Sequence, residues 1–196
     1  MLRKKVFTLL CKFIYRHPLI YAIADKICFP NAPKWREITA KFITPGERVL
    51  ELGSGRYPAI KTGTAIDTSW PLLGSAPASL WKVCASANRL PFQAETFDRI
   101  VTIFPPGIGA DEGFFQKKEF WEELHRVLSP NGCFVALIYI QYKNFLLRLL
   151  SKILDPLLES FWKNLGELTK NFYQISDYIK DSKGNGLVFV IAQKKS

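Results

Sequence analysis

The sequence predicts an α/β protein: a mostly parallel sheet with helices on both faces, closed by an antiparallel hairpin. Three observations carry that prediction. From residue 45 onwards, short β-branched runs alternate with helix-patterned stretches, the mark of βαβ units. "CFVALIYI" (133–140) is continuously apolar, as a strand buried on both faces must be. The final segment holds "NFYQISDYI" and "LVFVIAQ" on either side of the turn-forming "DSKGNG". A chain of 196 residues fits one domain. Within it we distinguish an N-terminal helical cap (1–44), a sheet-forming core (45–142), a helical segment (143–170) and the C-terminal hairpin (171–196).

The elements follow in order. Residues 5–17 set Val6, Leu9, Leu10, Phe13 and Ile14 at helical spacing, with Lys5, Thr8, Lys12 and Arg16 opposite. His17-Pro18 ends or kinks that helix. A second helix continues through Ile27, a third covers Trp35 to Phe42, and Thr44-Pro45-Gly46 turns the chain into the sheet. Strands are expected at Arg48–Leu52, Thr64–Asp67, Leu80–Cys84 and Asp98–Phe104. Residues 116–128 form an amphipathic helix with Phe120, Leu124, Val127 and Leu128 on one side, stopped by Ser129-Pro130-Asn131-Gly132. Residues 144–168 are mostly helical, interrupted at Pro156.

Two crossovers are unusual. The interval from Glu51 to Asp67 is short, and a whole crossover needs about 10–12 residues, so its helix is one turn at most. The next, Thr68 to Ser79, is broken by Pro71, Gly74 and Pro77. The sheet face these helices normally cover is therefore thinly clad. Parallel sheets bury both faces, so the N-terminal helices are expected to supply the cover.

The net charge is +10, and half of it lies in residues 1–30, where six basic residues face Asp25 alone. Such a start suits an anionic membrane surface met through residues 1–17, or nucleic acid, or plain solubility. The first turns resemble the start of a signal peptide, but Lys12 and Arg16 interrupt the apolar region and no clean cleavage site follows. An acid-poor amphipathic start is also the pattern of a mitochondrial presequence. No run reaches the roughly 18 apolar residues of a spanning helix. Cys11, Cys28, Cys84 and Cys133 form no C-x-x-C pair and have no histidine at ligand spacing. They read as buried or half-buried thiols in a reducing compartment, and no metal site is expected. The expected location is cytoplasmic, peripheral to a membrane in the docking reading.

The chemistry is sought where strands end, because ligands of open α/β sheets bind beyond the carboxyl ends at the point of strand reversal. There "VLELGSGRYPAIKTGTAIDTSW" (49–70) puts Glu51, Gly53 and Gly55 after one strand and Asp67 at the tip of the next. Glycines permit a tight turn and close backbone approach, and an acid at the second tip can accept from two ribose hydroxyls. Taken alone, the pattern is equally a turn followed by a capping aspartate.

With "ANRLPFQAETFDRIV" (87–101) and "FWEELHRVLSPNGCFVALI" (120–138), these segments stand in the order found in class I S-adenosylmethionine-dependent methyltransferases. The chain resembles the broad small-molecule branch of that family, with an L-P-F…F-D and an R-V-L-x-P-x-G segment. The resemblance covers about residues 35–140 and the final hairpin. It implies a Rossmann-like sheet of seven strands, S-adenosyl-L-methionine as cofactor, and no particular acceptor. By resemblance, Glu51 holds the methionine amino group, directly or through water. Gly53 and Gly55 line the methionine and ribose, and Asp67 binds the ribose hydroxyls. Ser86, Ala87 and Asn88 clamp adenine, while Phe104 and Pro105 close the site near the methyl group. Asp98 is given a structural role. The sequence departs from the family at Ser86, where an aspartate is usual, and at Tyr57-Pro58 in the glycine loop.

A general base is needed only if the acceptor must lose a proton. The candidates are Asp111 and Glu112 in the loop "FPPGIGADEGFF" (104–115), and Tyr139 and Tyr142 at the end of the fifth strand. His125 sits in the preceding helix and reads as structural. Three functional readings stand. The first is methyl transfer to a small-molecule or lipid-like acceptor at a membrane surface. The second is RNA methylation, supported by the basic charge and by a Phe-Pro-Pro similar to the Phe-Pro-Asp of a tRNA-modifying branch. The third is a non-catalytic assembly protein that keeps the fold. No RNA-binding domain or stacking platform accompanies the second.

Overall fold

A computed structural model describes residues 9–10, 12–103, 117–141, 171–180 and 186–195. Residues 12–16 are helical. The elements after them are α1 (Pro18–Cys28), α2 (Ala32–Ala40), β1 (Val49–Leu52), β2 (Gly63–Asp67), α3 (Trp70–Gly74), β3 (Leu80–Cys84), β4 (Phe97–Ile103), α4 (Lys118–Val127), β5 (Leu128–Gln141), β6 (Phe172–Lys180) and β7 (Gly186–Lys194). Prolines stand in the first turns of α1, α2 and α3, where the missing N–H costs no helical bond.

The seven strands lie in the order β3-β2-β1-β4-β5-β7-β6. β1 to β5 run parallel, and β6 and β7 add the antiparallel hairpin. The chain winds outward one way through β1, β2 and β3 and the other way through β4 and β5, so the reversal point lies between β1 and β4.

Alternation along β1 sorts the core. Leu50 and Leu52 face a cluster with Ile66, Ile100, Phe134 and the α4 residues Phe120, Trp121, Leu124 and Val127. Val49 faces the other way, into a cluster with Ile60, Ala65, Leu73, Leu80, Val101 and Trp35. Trp35 brings α2 onto the thinly clad face, as expected of the N-terminal helices. The two helical pieces before it do otherwise. Phe13, Leu19, Ile23 and Ile27 are exposed, so these pieces do not cover the core.

The expected stop at Ser129-Pro130-Asn131-Gly132 is absorbed into β5. Register jumps there from Phe97↔Leu128 to Arg99↔Cys133, and Asn131 takes the left-handed φ of 63°. The first crossover, expected to hold one helical turn at most, contains no helix in residues 53–62. Among the described residues, no helix is long and apolar enough to cross a membrane. The segment 144–168 lies outside the described residues. Cys133 is buried, but Cys84, expected to be at least half-buried, is exposed at the end of the edge strand.

Candidate functional site

The loop after β1 is tied to the tip of β2. The Ser54 amide donates to the Ile66 carbonyl at 3.0 Å, and its hydroxyl donates to the Glu51 carbonyl at 2.9 Å. Gly53 and Gly55 take φ of 65° and 53°, the left-handed region open to glycine. The Gly55 amide donates to Asp67 Oδ2 at 2.9 Å, and the Ser69 amide to Oδ1 of the same carboxylate at 2.7 Å. A β-carbon on Gly55 would stand 3.6 Å from the Tyr21 hydroxyl and 3.8 Å from Asp67 Oδ2. The space over Gly55 is thus taken by Tyr21 and Asp67, whereas a β-carbon on Gly53 would meet nothing within 4 Å.

Glu51 points to the opposite face from Leu50 and Leu52 and is 3% exposed. Its Oε2 accepts from the amides of Ala59 at 2.8 Å and Ile60 at 3.0 Å. These two amides follow Tyr57-Pro58 and would otherwise be orphaned, since no crossover helix receives them. The carboxylate therefore pins the shortened crossover. Burial pushes its pKa up to about 7, against the opposing pull of those amides and of Arg36.

Tyr57, standing where a third loop glycine is usual, joins the loop to the N-terminal helices. Its ring lies 6.3 Å from that of Tyr21, with the Arg36 guanidinium 5.3 Å and the Arg56 guanidinium 5.6 Å from its centroid. Arg36 on α2 pairs with Asp25 on α1 at 3.2 Å, both well shielded. Burial nevertheless raises the Asp25 carboxyl above its ordinary value, against the pull of Arg36. Burial also raises the Tyr21 phenol, with Asp25 and Asp67 adding to the effect, so its hydroxyl stays protonated. The Ser69 hydroxyl donates to the Tyr15 carbonyl, tying residues 12–16 to the far side of Asp67. Tyr21, Asp25 and Arg36 were not among the residues expected here. The signal was faint: Asp25 is the lone acid of the first thirty residues, one helical turn after Tyr21.

The β3 end brings Ser86, Ala87 and Asn88 beside Asp67, with the Ala85 amide donating to the Asp67 carbonyl at 3.2 Å. Ala87 is buried and packs into the α4-side core. The Asn88 amide donates to Ser86 Oγ at 3.3 Å. Asn88 Oδ1 is buried and has no hydrogen-bond partner among the described residues. A buried acceptor without a donor costs about 1–3 kcal/mol, so a donor is called for at this point.

The two motif segments of the later chain prove to be one device. The Arg126 guanidinium donates to the carbonyls of Phe92 at 2.7 Å and Leu90 at 3.0 Å, while Glu123 Oε2 accepts from the Leu90 amide at 2.7 Å. Glu123 and Arg126 also pair with each other at 2.7 Å. The L-P-F loop leading out of Asn88 is thereby bolted to α4.

Asp98 lies at the opposite end of the sheet, accepting from the Arg48 side chain at 2.8 and 3.0 Å and from the Ser129 hydroxyl at 2.9 Å. Its role is structural. His125 packs edge-on against Phe172, and burial lowers its pKa. Tyr139 lies on β5 opposite Leu187. Phe104, Pro105, Asp111, Glu112 and Tyr142 lie outside the described residues. A cavity of about 450 Å³ lined by Arg36, Ala59, Ile60, Lys61 and Pro77 opens beside the crossover and touches neither loop glycine. Among the described residues, no group of His, Cys, Asp or Glu is placed to hold a metal ion.

Residues 49–136 match the family described as "Methyltransferase domain". No curated protein matches the sequence. Among solved structures, the chain is similar to an S-adenosylmethionine-dependent methyltransferase from Thermotoga maritima. The identity is 18%, the TM-score 0.66, and 93% of this chain and 98% of that one are covered. It is also similar to a chain in the complex of the Haloferax volcanii Trm112 methyltransferase activator with a methyltransferase, at 15% identity and TM-score 0.62, covering 93% and 98%. A Haemonchus contortus N-methyltransferase, solved with phosphomonomethylethanolamine and S-adenosylhomocysteine, matches at 12% identity and TM-score 0.59, covering 83% of this chain and 53% of that one. At these identities the structural likeness establishes the fold.

Proposed function

We propose that the chain is a class I S-adenosylmethionine-dependent methyltransferase and that it methylates a small or lipid-like acceptor met at a membrane surface, a reading supported by the methyltransferase-domain match over residues 49–136 and by the shared fold. The observation that carries the placement of the cofactor is the cradle at the ends of β1, β2 and β3. There Gly53 and Gly55 open the backbone, Asp67 stands at the second tip, and Asn88 presents a buried oxygen without a donor.

These residues fit S-adenosylmethionine. Asn88 Oδ1 would accept from the exocyclic amino group of adenine, in place of the charged residue usual nearby. Asp67, already holding the Gly55 and Ser69 amides, keeps lone pairs for ribose hydroxyls. Gly53 and Gly55 would face the ribose and methionine. Glu51 acts as a positioning residue, since its carboxylate holds the loop through Ala59 and Ile60. When bound, the cofactor supplies a sulfonium methyl to a lone pair of the acceptor. The protein's share is to orient and desolvate, which proximity alone makes worth several orders of magnitude. Tyr21, with its hydroxyl beside Gly55, and Tyr57, its ring 6.3 Å away, would roof the loop.

The acceptor class is tested by incubating the protein with methyl-labelled cofactor and, in parallel, phospholipid vesicles, soluble amines and RNA. Label in the lipid or small-molecule fraction is expected. Label recovered only in RNA would overturn the proposed acceptor class.

A further inference from the structure

α1 is built inside out. At about 100° per residue, Leu19, Ile20, Ile23 and Ile27 share one arc, and Tyr21 and Asp25 lie opposite. In a water-facing helix the apolar arc packs inward. Here the inward arc carries the phenol beside Gly55 and Asp67 and the carboxylate paired with Arg36. The outward arc is apolar, with Leu19 74%, Ile23 61% and Ile27 57% exposed. The preceding helical piece continues the surface through Leu9, Leu10 and Phe13, all at least half exposed. The polar contacts beneath, from Arg36 to Asp25 and from Ser69 to the Tyr15 carbonyl, fix these helices with their apolar sides outward.

Among the described residues of the first thirty, every exposed charge has one sign. Lys12, Arg16 and Lys26 are exposed around the apolar surface, and Lys26 borders the α1 arc. The single acid of the first thirty residues, Asp25, is turned inward onto Arg36. A second copy of the chain laid on this face would set cations against cations. An apolar floor ringed by cations matches instead an anionic bilayer, with the aliphatic side chains below the headgroups and Lys and Arg reaching up to phosphate.

We infer that residues 9–10 and 12–27 form a docking face for an anionic lipid bilayer, with α1 lying in the interface through Leu19, Ile20, Ile23 and Ile27. The inference deepens the proposed function by naming the surface and the residues that meet it. The other side of the same helix is Tyr21, over the loop of Gly55, so docking places the bilayer at the roof of the cofactor cradle.

The test is flotation of the full chain with vesicles, without cofactor, so that it stands or falls apart from methyl transfer. Phosphatidylcholine vesicles are compared with vesicles in which about a third of the lipid is phosphatidylglycerol; three rim cations favour the latter by about a hundredfold. The double substitution Leu19→Glu/Ile23→Glu should lower partitioning by about a hundredfold while leaving the unfolding midpoint in place. Lys12→Gln/Arg16→Gln/Lys26→Gln should abolish the preference for anionic lipid and leave weak binding to both. Failure of the wild-type chain to float with anionic vesicles at low salt would overturn the inference, as would equal binding to both vesicle types. So would a dimer in lipid-free solution that Leu19→Glu/Ile23→Glu converts to monomer, since a second copy would then cover the face.

Discussion

Glu51→Gln isolates the energetic consequence of burying a carboxylate to hold a loop. Burial pushes the Glu51 pKa up to about 7 in the folded chain, against an ordinary value of 4.5. The folded state thus binds the proton more tightly than the unfolded state. This contribution to stability is full below pH 4.5, falls as pH rises through the window, and levels off above about 7. At about 1.4 kcal/mol per unit, the loss across the window is about 3 kcal/mol. At 3% exposure, solvent does little to reduce it. The assay is urea unfolding of the wild-type chain and the Gln variant at intervals across this pH range. Other carboxylates titrate in both proteins and cancel in the difference. Glutamine still presents an oxygen to the Ala59 and Ile60 amides but carries no charge, so the wild-type curve should fall relative to the variant by about 3 kcal/mol as pH rises. Two curves that stay parallel from pH 4.5 to 7 would refute the reasoning.

Other substitutions separate roles within the site. Asn88→Leu removes an unpartnered buried oxygen, so stability should hold or rise by up to about 1 kcal/mol, while cofactor affinity measured by calorimetry falls about tenfold. Gly63→Ala should cost about 2–5 kcal/mol in chemical unfolding, because φ is 116° and the new β-carbon would meet the Val49 carbonyl oxygen at 2.8 Å. Arg126→Leu strips the Leu90 and Phe92 carbonyls of their donor, and should cost about 1–2 kcal/mol and loosen cofactor binding through the segment that carries Asn88.

The sheet was legible because hydrophobic patterning reports it directly. The span of β3 agrees with the expected Leu80–Cys84, and the hairpin pairs as its two apolar runs require. The short crossover was legible as a missing helix. What replaces the helix was not, because Glu51 meets the backbone amides of Ala59 and Ile60, and backbone partners leave no trace in residue identity. The periodicity of the first helices was also plain, but not which arc faces inward. That choice rests on Asp25 finding Arg36 and on Tyr21 seating beside Gly55, contacts between residues far apart in the chain. Tyr57 looked like a departure from a glycine loop. In the fold it is the side chain on which Tyr21 and Arg36 converge. Ser129 to Gly132 read as a stop because such residues favour turns, yet Leu128 and Cys133 on either side of them both pair with β4, which carries them within a bulged strand.

The central claim is that the cradle between Gly53, Asp67 and Asn88 holds S-adenosylmethionine, and calorimetric titration tests it most directly. Saturable one-to-one binding of S-adenosylmethionine and S-adenosylhomocysteine is predicted, weakened by Asp67→Asn, which keeps the side-chain volume but removes its charge. Absence of binding by either compound at millimolar concentration would contradict the account.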